Sequence, residues 1–223
     1  MKARIRFSKS GALVYIGHLD VMRYFQKLFR RAGIPVAYTE GFSPHQILSF
    51  TPPLPLGMES TGEYADVELT SEISYRDAIE ALRAESVPEI EIMSFKELPA
   101  GSMNAMASVA AARYRVYDPG IPACGDACDS FMAKDDIIIL KRSKKNERLV
   151  NIRPLVYELT YDRDKNTMEM LISSGSTDNI KPEHVLEGLG FTADYDDLSI
   201  TRVDQYTRID NGFVSLDNIS DGE

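Results

Sequence analysis

Two histidines near the start of the chain are the side chains best suited to chemistry. His18 lies in the segment GHLD at residues 17–20, directly before a run with helical periodicity, and His45 lies in the turn-rich segment GFSPH at 41–45. A neutral imidazole can act as a general base or as a hydrogen-bonding reader, and the dipole at a helix N-terminus favours the neutral form at His18. The two histidines therefore predict acid–base chemistry or ligand recognition. The alternative for each is a capping, packed or solvated histidine.

Basic and aromatic side chains surround the two histidines in the sequence. Cations that bind phosphates, combined with aromatic faces that stack on bases, are typical of proteins that hold single-stranded RNA. Arg4 and Arg6 share one face of a predicted strand, where like charges repel each other unless an anionic group lies between them. The expected phosphate contacts are Arg4, Arg6, Lys9, Arg23, Lys27, Arg30 and Arg31. The expected cleft is lined by His18, Asp20, Tyr38, Phe42, Ser43, His45 and Phe50.

Sequence motifs for phosphate loops, dinucleotides and catalytic zinc are missing from the chain. It contains no GxxxxGK[ST], no GxGxxG after a strand and no HExxH. Its two cysteines, Cys124 and Cys128, are one turn apart on a predicted helix, whereas an iron–sulfur cluster takes about four cysteine ligands. We therefore expect two ordinary thiols, with no metal, no cofactor and no radical or redox chemistry carried by this chain alone.

The charge of the chain is divided unevenly between its two ends. The net charge is −9, yet residues 1–60 contain eight basic and three acidic side chains, and the remainder contains 17 basic and 31 acidic ones. A positive end attracts a polyanion such as RNA, and an acidic remainder repels it. The alternative is chance clustering of charges on solvated faces.

Hydrophobic periodicity predicts the elements that position these side chains. In the first hundred residues it predicts strands at 2–7, 12–16, 46–51, 61–69 and 89–97 and helices at 18–32 and 74–85. The second helix has Ser74 as its N-cap and Asp77 at its third position. Residues 38–57 form a long proline-rich loop, and loops of this length tend to be functional. The order is that of the βαββαβ or ferredoxin-like motif.

The same order recurs in the second half of the chain. The pattern predicts strands at 112–117, 135–141, 153–161, 167–173 and 199–208 and helices at 121–133 and 182–189. The predicted fold is α+β, with two tandem ferredoxin-like units and antiparallel sheets: an N-terminal domain at 1–100, an acidic C-terminal domain at 108–210 and a loose tail at 211–223. No apolar run reaches the roughly 18 residues of a membrane helix, and the N-terminus has no signal-peptide core. We therefore expect a cytoplasmic protein without membrane contact.

Residues 4–69 strongly resemble the N-terminal part of the bacterial radical SAM-linked protein family, and the resemblance is weak beyond residue 100. The matching residues are RFSK at 6–9, HLD at 18–20, Met22 and Arg23, RRAG at 30–33, Gly41 and Phe42, Pro44 and His45, Ser49 and Phe50, PPLPLG at 52–57, Ser60, Glu63, Tyr64 and Asp66. This family is a domain of unknown function, encoded beside or fused to a radical SAM protein. Gly17, Ser43 and Gln46 stand where the family usually has Ser, Asn and Pro.

The resemblance implies a working link to a radical SAM enzyme, which would hold the cluster that two cysteines cannot. Together with the basic and aromatic side chains, it predicts a non-catalytic partner that binds or presents an RNA substrate. One alternative is a metal-independent RNA-acting enzyme that uses acid–base chemistry at His18 and His45. The tandem pattern is also similar to that of the CRISPR repeat-processing endoribonucleases, an analogy of fold alone. Another alternative is a protein-binding module whose acidic surface docks the radical SAM subunit.

Overall fold

The computed structural model describes residues 1–117, 125–142, 147–175, 178–191, 198–210 and 212–221. The chain divides into two compact units, one formed by Met1–Val109 and the chain from Asp204 onward, the other by Ala110–Val203. The mixed α+β class and the mostly antiparallel pairing predicted from the sequence are confirmed. Cys124 and the first four residues of the helix predicted at 121–133 lie outside the described residues.

The first unit is built on an antiparallel sheet with two helices between its strands. Its elements are β1 (Lys2–Lys9), α1 (His18–Arg31), β2 (Leu48–Phe50), β3 (Glu59–Glu68), α2 (Tyr75–Glu85), β4 (Ile92–Glu97) and α3 (Ala105–Ser108). Strand β1 lies between β3 and β4, and β2 pairs with the far side of β3. The element order of the first six is therefore the predicted βαββαβ.

Both long helices cover the same face of this sheet. Phe25 and Phe29 of α1 and Leu82 of α2 share one buried apolar cluster with Ile5 and Phe7 of β1. Burying each such side chain contributes about 1.5–3 kcal/mol, so this cluster is the main support of the unit. Since side chains alternate along a strand, the polar residues between these apolar ones lie on the opposite face.

In the first unit, the structure confirms the predicted cap of one helix and replaces one predicted strand. Ser74 caps α2 as predicted, because its hydroxyl accepts the backbone N–H of Asp77 at 3.4 Å. The strand predicted at 12–16 is instead a 3-10 helix at Gly11–Tyr15. Gly11 turns the chain there with a φ of +55°, a conformation that glycine adopts without strain. The five residues at 12–16 are all apolar, and a short apolar run without a period does not separate a strand from a single helical turn.

The second unit has the same order with an added hairpin. Its elements are β5 (Ala111–Tyr117), α4 (Gly125–Met132), β6 (Ile138–Arg142), β7 (Glu147–Asn151), β8 (Val156–Asp162), β9 (Thr167–Ser173), α5 (Pro182–Gly188) and the start of β10 (Ser199–Ile209). Strand β9 lies between β5 and β8, and β10 follows β5. The hairpin β6–β7 forms a separate two-stranded sheet. Cys128 of α4 is a buried thiol, as expected.

The end of the chain differs from the loose tail predicted at 211–223. Strand β10 ends in the first unit, and β11 (Gly212–Ser215) pairs with it. A 3-10 helix follows at Leu216–Asp221, and Leu216 is buried beside Tyr64. The ordered structure of this segment could not be read from its mostly polar composition, because the buried side chain that anchors it is the single residue Leu216. Among the described residues, no helix combines the length and the apolar character needed to cross a bilayer.

Candidate functional site

Arg4, the first of the predicted phosphate contacts, is buried inside the first unit. Only 3% of Arg4 is exposed, and its Nε and Nη2 donate to the two carboxylate oxygens of Asp66 at 2.7 and 2.9 Å. The two residues are direct cross-strand neighbours in β1 and β3. A fork-shaped guanidinium that binds a carboxylate in this way has little left for a phosphate. An internal ion pair therefore takes the place of the expected phosphate contact at Arg4.

Arg6, the second strand arginine, is half-buried on the same sheet face. Its Nε donates to the backbone oxygen of Thr61 at 3.1 Å, and its Nη1 lies 3.7 Å from a carboxylate oxygen of Asp217. The guanidinium also lies 6.0 Å from the centre of the Tyr64 ring. Two like-charged arginines on one strand face repel each other unless an anionic group lies beside them. The structure supplies it from the chain itself, as Asp66 and Asp217.

Lys9, the last basic residue of β1, is also turned inward. It is 3% exposed, and its Nζ donates to the backbone oxygens of Ile16 at 3.0 Å and Val14 at 3.4 Å. These carbonyls lie at the end of the 3-10 helix that precedes α1. Lys9 therefore joins the end of β1 to the start of α1, and its ammonium faces a pocket rather than the outer surface.

This pocket, called here the Lys9 pocket, combines polar groups with apolar walls. It is lined by Phe7, Lys9, His18, Val21, Phe50, Thr51, Leu54 and Glu63. His18 begins α1 and packs edge-to-face on Phe50, with ring centres 5.9 Å apart. Phe50 belongs both to the pocket and to the apolar core. Of the residues expected to line a cleft, His18 and Phe50 therefore meet here, together with Lys9.

Glu63 is the pocket residue that sequence reasoning missed. It is buried in β3 on the side that carries Ala65 and Val67, both members of the apolar core. Buried charged residues are rare unless paired, so a glutamate on an apolar strand face was a readable signal. Thr51 and Leu54 were missed because they lie in the irregular loop, where no periodicity marks the inward side.

The exposed face of α1 carries the remaining basic residues of the predicted strip. Arg23, Lys27, Arg30 and Arg31 are all exposed, at spacings of three and four that place them on one face. Arg23 pairs with Asp20 at 3.2 Å, and Arg31 donates to a carboxylate oxygen of Glu85 at 3.2 Å. Within the described part of the chain, no acidic side chain pairs with Lys27 or Arg30.

An aromatic loop lies against the same helix. Residues 38–46 turn back on themselves, with an isolated bridge between Tyr38 and Gln46. The Nε2 of Gln46 donates to the backbone oxygen of Gln26 and to the hydroxyl of Tyr38, both at 3.3 Å. Gln26 lies between Arg23 and Lys27 in α1, so the loop is anchored beside the basic face.

The tip of this loop exposes a large aromatic side chain. Phe42 is fully exposed, directly after Gly41, whose φ of +109° allows the turn. We define the α1 surface as Arg23, Lys27, Arg30, Tyr38 and Phe42. A fully exposed phenylalanine contributes nothing to the apolar core of the unit.

His45 and Ser43 lie in this loop, away from the Lys9 pocket. The Nδ1 of His45 lies 3.1 Å from the hydroxyl of Thr39 and 3.4 Å from the backbone oxygen of Ser43. His45 is exposed, whereas His18 lines the pocket with Lys9 and Glu63. His18 and His45 therefore do not line the same pocket, and the structure does not bring them together as an acid–base pair.

The buried Tyr64 and the partly buried His184 have clearly shifted pKa values. Burial raises the pKa of the Tyr64 phenol far above its usual range. The neighbouring Asp204 carboxylate, which accepts a hydrogen bond from the phenol, raises this pKa further. Burial also lowers the pKa of His184 to about 4, and Lys141 and Lys181 add to this shift. The Tyr64 phenol therefore keeps its proton at pH 7, and His184 is neutral at that pH. Within the described residues, no three His, Cys, Asp or Glu side chains are grouped so as to hold a metal ion.

Comparison with known proteins finds a family of uncharacterized bacterial proteins and distant structural likenesses. Residues 2–182 match DUF2344, described as an uncharacterized protein conserved in bacteria. No curated protein matches the chain. Among solved structures, a chain from the crystal structure of a Cbf5-Nop10-Gar1 complex matches with a TM-score of 0.47 and 12% identity. The match covers 98% of this chain and 54% of the solved one, so this chain spans about half of that chain's length.

Proposed function

Given that this chain belongs to the DUF2344 family of uncharacterized bacterial proteins, we propose that it binds an RNA substrate and presents it to a separate radical SAM enzyme. The RNA part of the proposal rests on one observation, the α1 surface, where exposed cations and an exposed aromatic side chain lie together. The enzyme partner rests on the resemblance of residues 4–69 to proteins encoded beside, or fused to, radical SAM proteins.

The cations of the α1 surface supply the contacts that RNA backbones need. Lys27 and Arg30 are exposed and carry no internal ion pair among the described residues, and Arg23 is exposed beside its single partner, Asp20. Contacts of this kind hold the phosphates and position the strand without reading its sequence. Their affinity falls as salt rises, because binding releases counterions from the nucleic acid.

The aromatic side chains of the same surface supply a place for bases. Phe42 is fully exposed at the loop tip, and Tyr38, partly exposed, is held by its contact with Gln46. Stacking on an aromatic ring stabilises a bound single strand by roughly 1–3 kcal/mol per base. Since every base has a flat face, this surface suits single-stranded RNA of varied sequence.

The Lys9 pocket favours a second candidate function, acid–base catalysis on the bound RNA. His18 lies in one pocket with the buried side chains of Lys9 and Glu63, a combination able to move a proton and to balance charge. This candidate uses His18 without His45. A single-turnover assay on RNA checks it, because His18→Ala would abolish product formation whereas His45→Ala would leave it intact.

RNA binding is tested directly by titrating a fluorescent single-stranded oligonucleotide with the intact chain at rising salt. The proposal predicts a linear fall of log affinity with log salt, with a slope of about −0.7 for each phosphate contact. A 4-thiouridine oligonucleotide should crosslink to the peptides that contain Tyr38 and Phe42. Absence of binding at low salt, or crosslinks confined to residues 110–203, would contradict the proposal and favour a protein-binding module.

The enzyme partner is tested by reconstitution. A radical SAM protein encoded beside a member of this family is assayed on RNA with and without this chain. The proposal predicts faster modification with the intact chain than with a Phe42→Ala variant, at equal concentrations. Equal rates with and without the chain would contradict the presenting role and leave RNA binding to be judged by the titration.

A further inference from the structure

The carboxylate of Asp217 lies in a cluster of cationic and hydroxyl groups on the sheet face of the first unit that α1 and α2 leave uncovered. The hydroxyl of Ser94 donates to its Oδ1 at 2.5 Å, and its Oδ2 lies 3.7 Å from the Nη1 of Arg6. The Nζ of Lys96 lies 3.8 Å from Oδ1 and donates to the backbone oxygen of Asp217 at 2.8 Å. One anionic group is therefore held by three side chains.

The three side chains are positioned by neighbouring strands rather than by the segment that carries Asp217. Arg6 of β1 is the direct cross-strand partner of Ser94 in β4. Lys96 lies two residues beyond Ser94 on the same strand and therefore on the same face. The cluster is thus part of the sheet, and the part of the chain that matches the family includes all three residues but ends at 182, before Asp217.

The contact that fills the cluster is partly exposed to solvent, and its two ion pairs are long, at 3.7 and 3.8 Å. The side chains of Arg6, Lys96 and Asp217 are 20%, 34% and 21% exposed. Ion pairs that water can reach are weak, because solvent screens the charges. A competing anion that offers more charge and more oxygens can therefore displace the carboxylate.

We infer that Arg6, Ser94 and Lys96 form a binding site for a phosphate group, and that Asp217 occupies this site in the structure. Guanidinium and ammonium groups bind carboxylates and phosphates through the same charge-assisted hydrogen bonds. A phosphate carries up to twice the charge of a carboxylate and three acceptor oxygens. The site goes beyond the proposed function, since it uses none of the residues of the α1 surface.

The phosphate could belong to an RNA backbone or to a free phosphate compound, so two probes are used. Inorganic pyrophosphate is titrated by calorimetry, and an eight-nucleotide RNA by fluorescence anisotropy, each against the full chain. The isosteric change Asp217→Asn removes the competing charge and keeps the side-chain shape. It should tighten pyrophosphate binding by roughly twofold to fivefold, the upper part of the range that corresponds to one solvent-accessible ion pair. A gain for RNA alone would assign the site to a backbone phosphate.

Matched double variants locate the gain. Lys96→Met in the Asp217→Asn background should remove it, whereas Lys2→Met in the same background should leave it intact, because Lys2 lies near the start of β1 and outside the cluster. Both changes remove one positive charge from the same face. Equal losses in the two double variants, or no gain from Asp217→Asn, would overturn the assignment.

A second measurement uses the unaltered protein, so its outcome does not depend on how a variant folds. Pyrophosphate should speed amide hydrogen exchange in residues 212–218, because the phosphate replaces Asp217 and loosens this segment. Unchanged exchange at saturating pyrophosphate would contradict the inference. If pyrophosphate does not bind at this cluster, the α1 surface can still bind RNA. If the α1 surface does not bind RNA, the pyrophosphate result still holds.

Discussion

Strand β1 and helix α1 both carry several basic side chains, and the fold uses them in opposite ways. Arg4 and Lys9 of the strand are buried, and each is bound to oxygen atoms of the chain. Lys27 and Arg30 of the helix point outward, and the described part of the chain offers them no acidic partner. The strand residues therefore hold the first unit together, and the helix residues are available to a ligand.

The difference shows that a basic residue in a sequence can indicate either an internal ion pair or a binding surface. A strand in the middle of a sheet has neighbours on both sides, so the partner of Arg4 comes from Asp66, far along the chain. The outer face of a helix has no such neighbours. A helix-borne charge with no acid one turn away is thus a better sign of a binding surface than a strand-borne one.

The largest expected effect comes from separating the buried strand pair. Asp66→Ala leaves the guanidinium of Arg4 buried without its counter-charge, and such a loss costs about 3–5 kcal/mol of unfolding free energy. Urea denaturation followed by circular dichroism measures it. The double variant Arg4→Met with Asp66→Leu replaces the pair by apolar groups and should recover most of the loss. A cost below about 1 kcal/mol for Asp66→Ala would show that Arg4 is not committed internally.

The next effect is expected at Lys9. Lys9→Met keeps the length of the side chain but removes the donor to the backbone oxygens of Val14 and Ile16, so the unfolding free energy should fall by about 1–3 kcal/mol. Amide hydrogen exchange should rise most in residues 11–17. Lys2→Met, an exposed change on the same strand, serves as the control and should alter stability by less than about 0.5 kcal/mol. Equal effects of the two changes would show that the contacts of Lys9 with Val14 and Ile16 do not stabilise the unit.

Phe42 should affect binding and leave stability alone. Phe42→Ala removes a ring that touches no core residue, so unfolding should change by less than about 0.5 kcal/mol. RNA affinity should fall by about 1–3 kcal/mol if one base stacks on the ring. Anisotropy titration at constant salt measures this, with Tyr117→Ala, an exposed aromatic of the second unit, as the control. An unchanged affinity for Phe42→Ala would limit the surface to its cations.

The smallest expected effect sharpens the description of the helix face. Asp20→Asn removes the acidic partner that Arg23 has among the described residues, and an exposed pair of this kind contributes only about 0.2–1 kcal/mol to stability. RNA affinity should rise by less than tenfold, because one repulsive charge leaves the surface. Glu80→Gln, which removes the partner of Arg76 on α2, should leave RNA affinity unchanged. A lower affinity for Asp20→Asn would contradict the role given to Arg23.

Periodic segments of the sequence predicted the fold well. Helix α1 is amphipathic over its full length, and α2 carries its own cap in Ser74, so both appear within one residue of their expected bounds. Strand β7 was missed because most of its residues are exposed, and α3 because four residues are too short for a helical period. Periodicity reports which side of an element is buried, and these two elements bury little.

The candidate site could be predicted only in part. The basic and aromatic character of α1 and its loop is visible in the sequence, and the structure anchors the loop that carries Phe42 to that helix through Gln46. The internal use of Arg4 and Arg6 could not be seen, because Asp66 and Asp217 become their neighbours only when distant strands pair. Glu63 could have been found, since a charged residue interrupts an apolar strand face there.

One titration tests the contrast between strand and helix most directly. The affinity for a single-stranded RNA is measured over a range of salt concentrations for the unaltered chain and two double variants. The helix variant carries Lys27→Glu and Arg30→Glu, and the strand variant carries Arg4→Met and Asp66→Leu. We expect the helix variant to lose most of its affinity and to show a salt slope shallower by about 1.4, since two phosphate contacts are removed. The strand variant should bind as the unaltered chain does. Loss of affinity in the strand variant, with full affinity in the helix variant, would contradict the account.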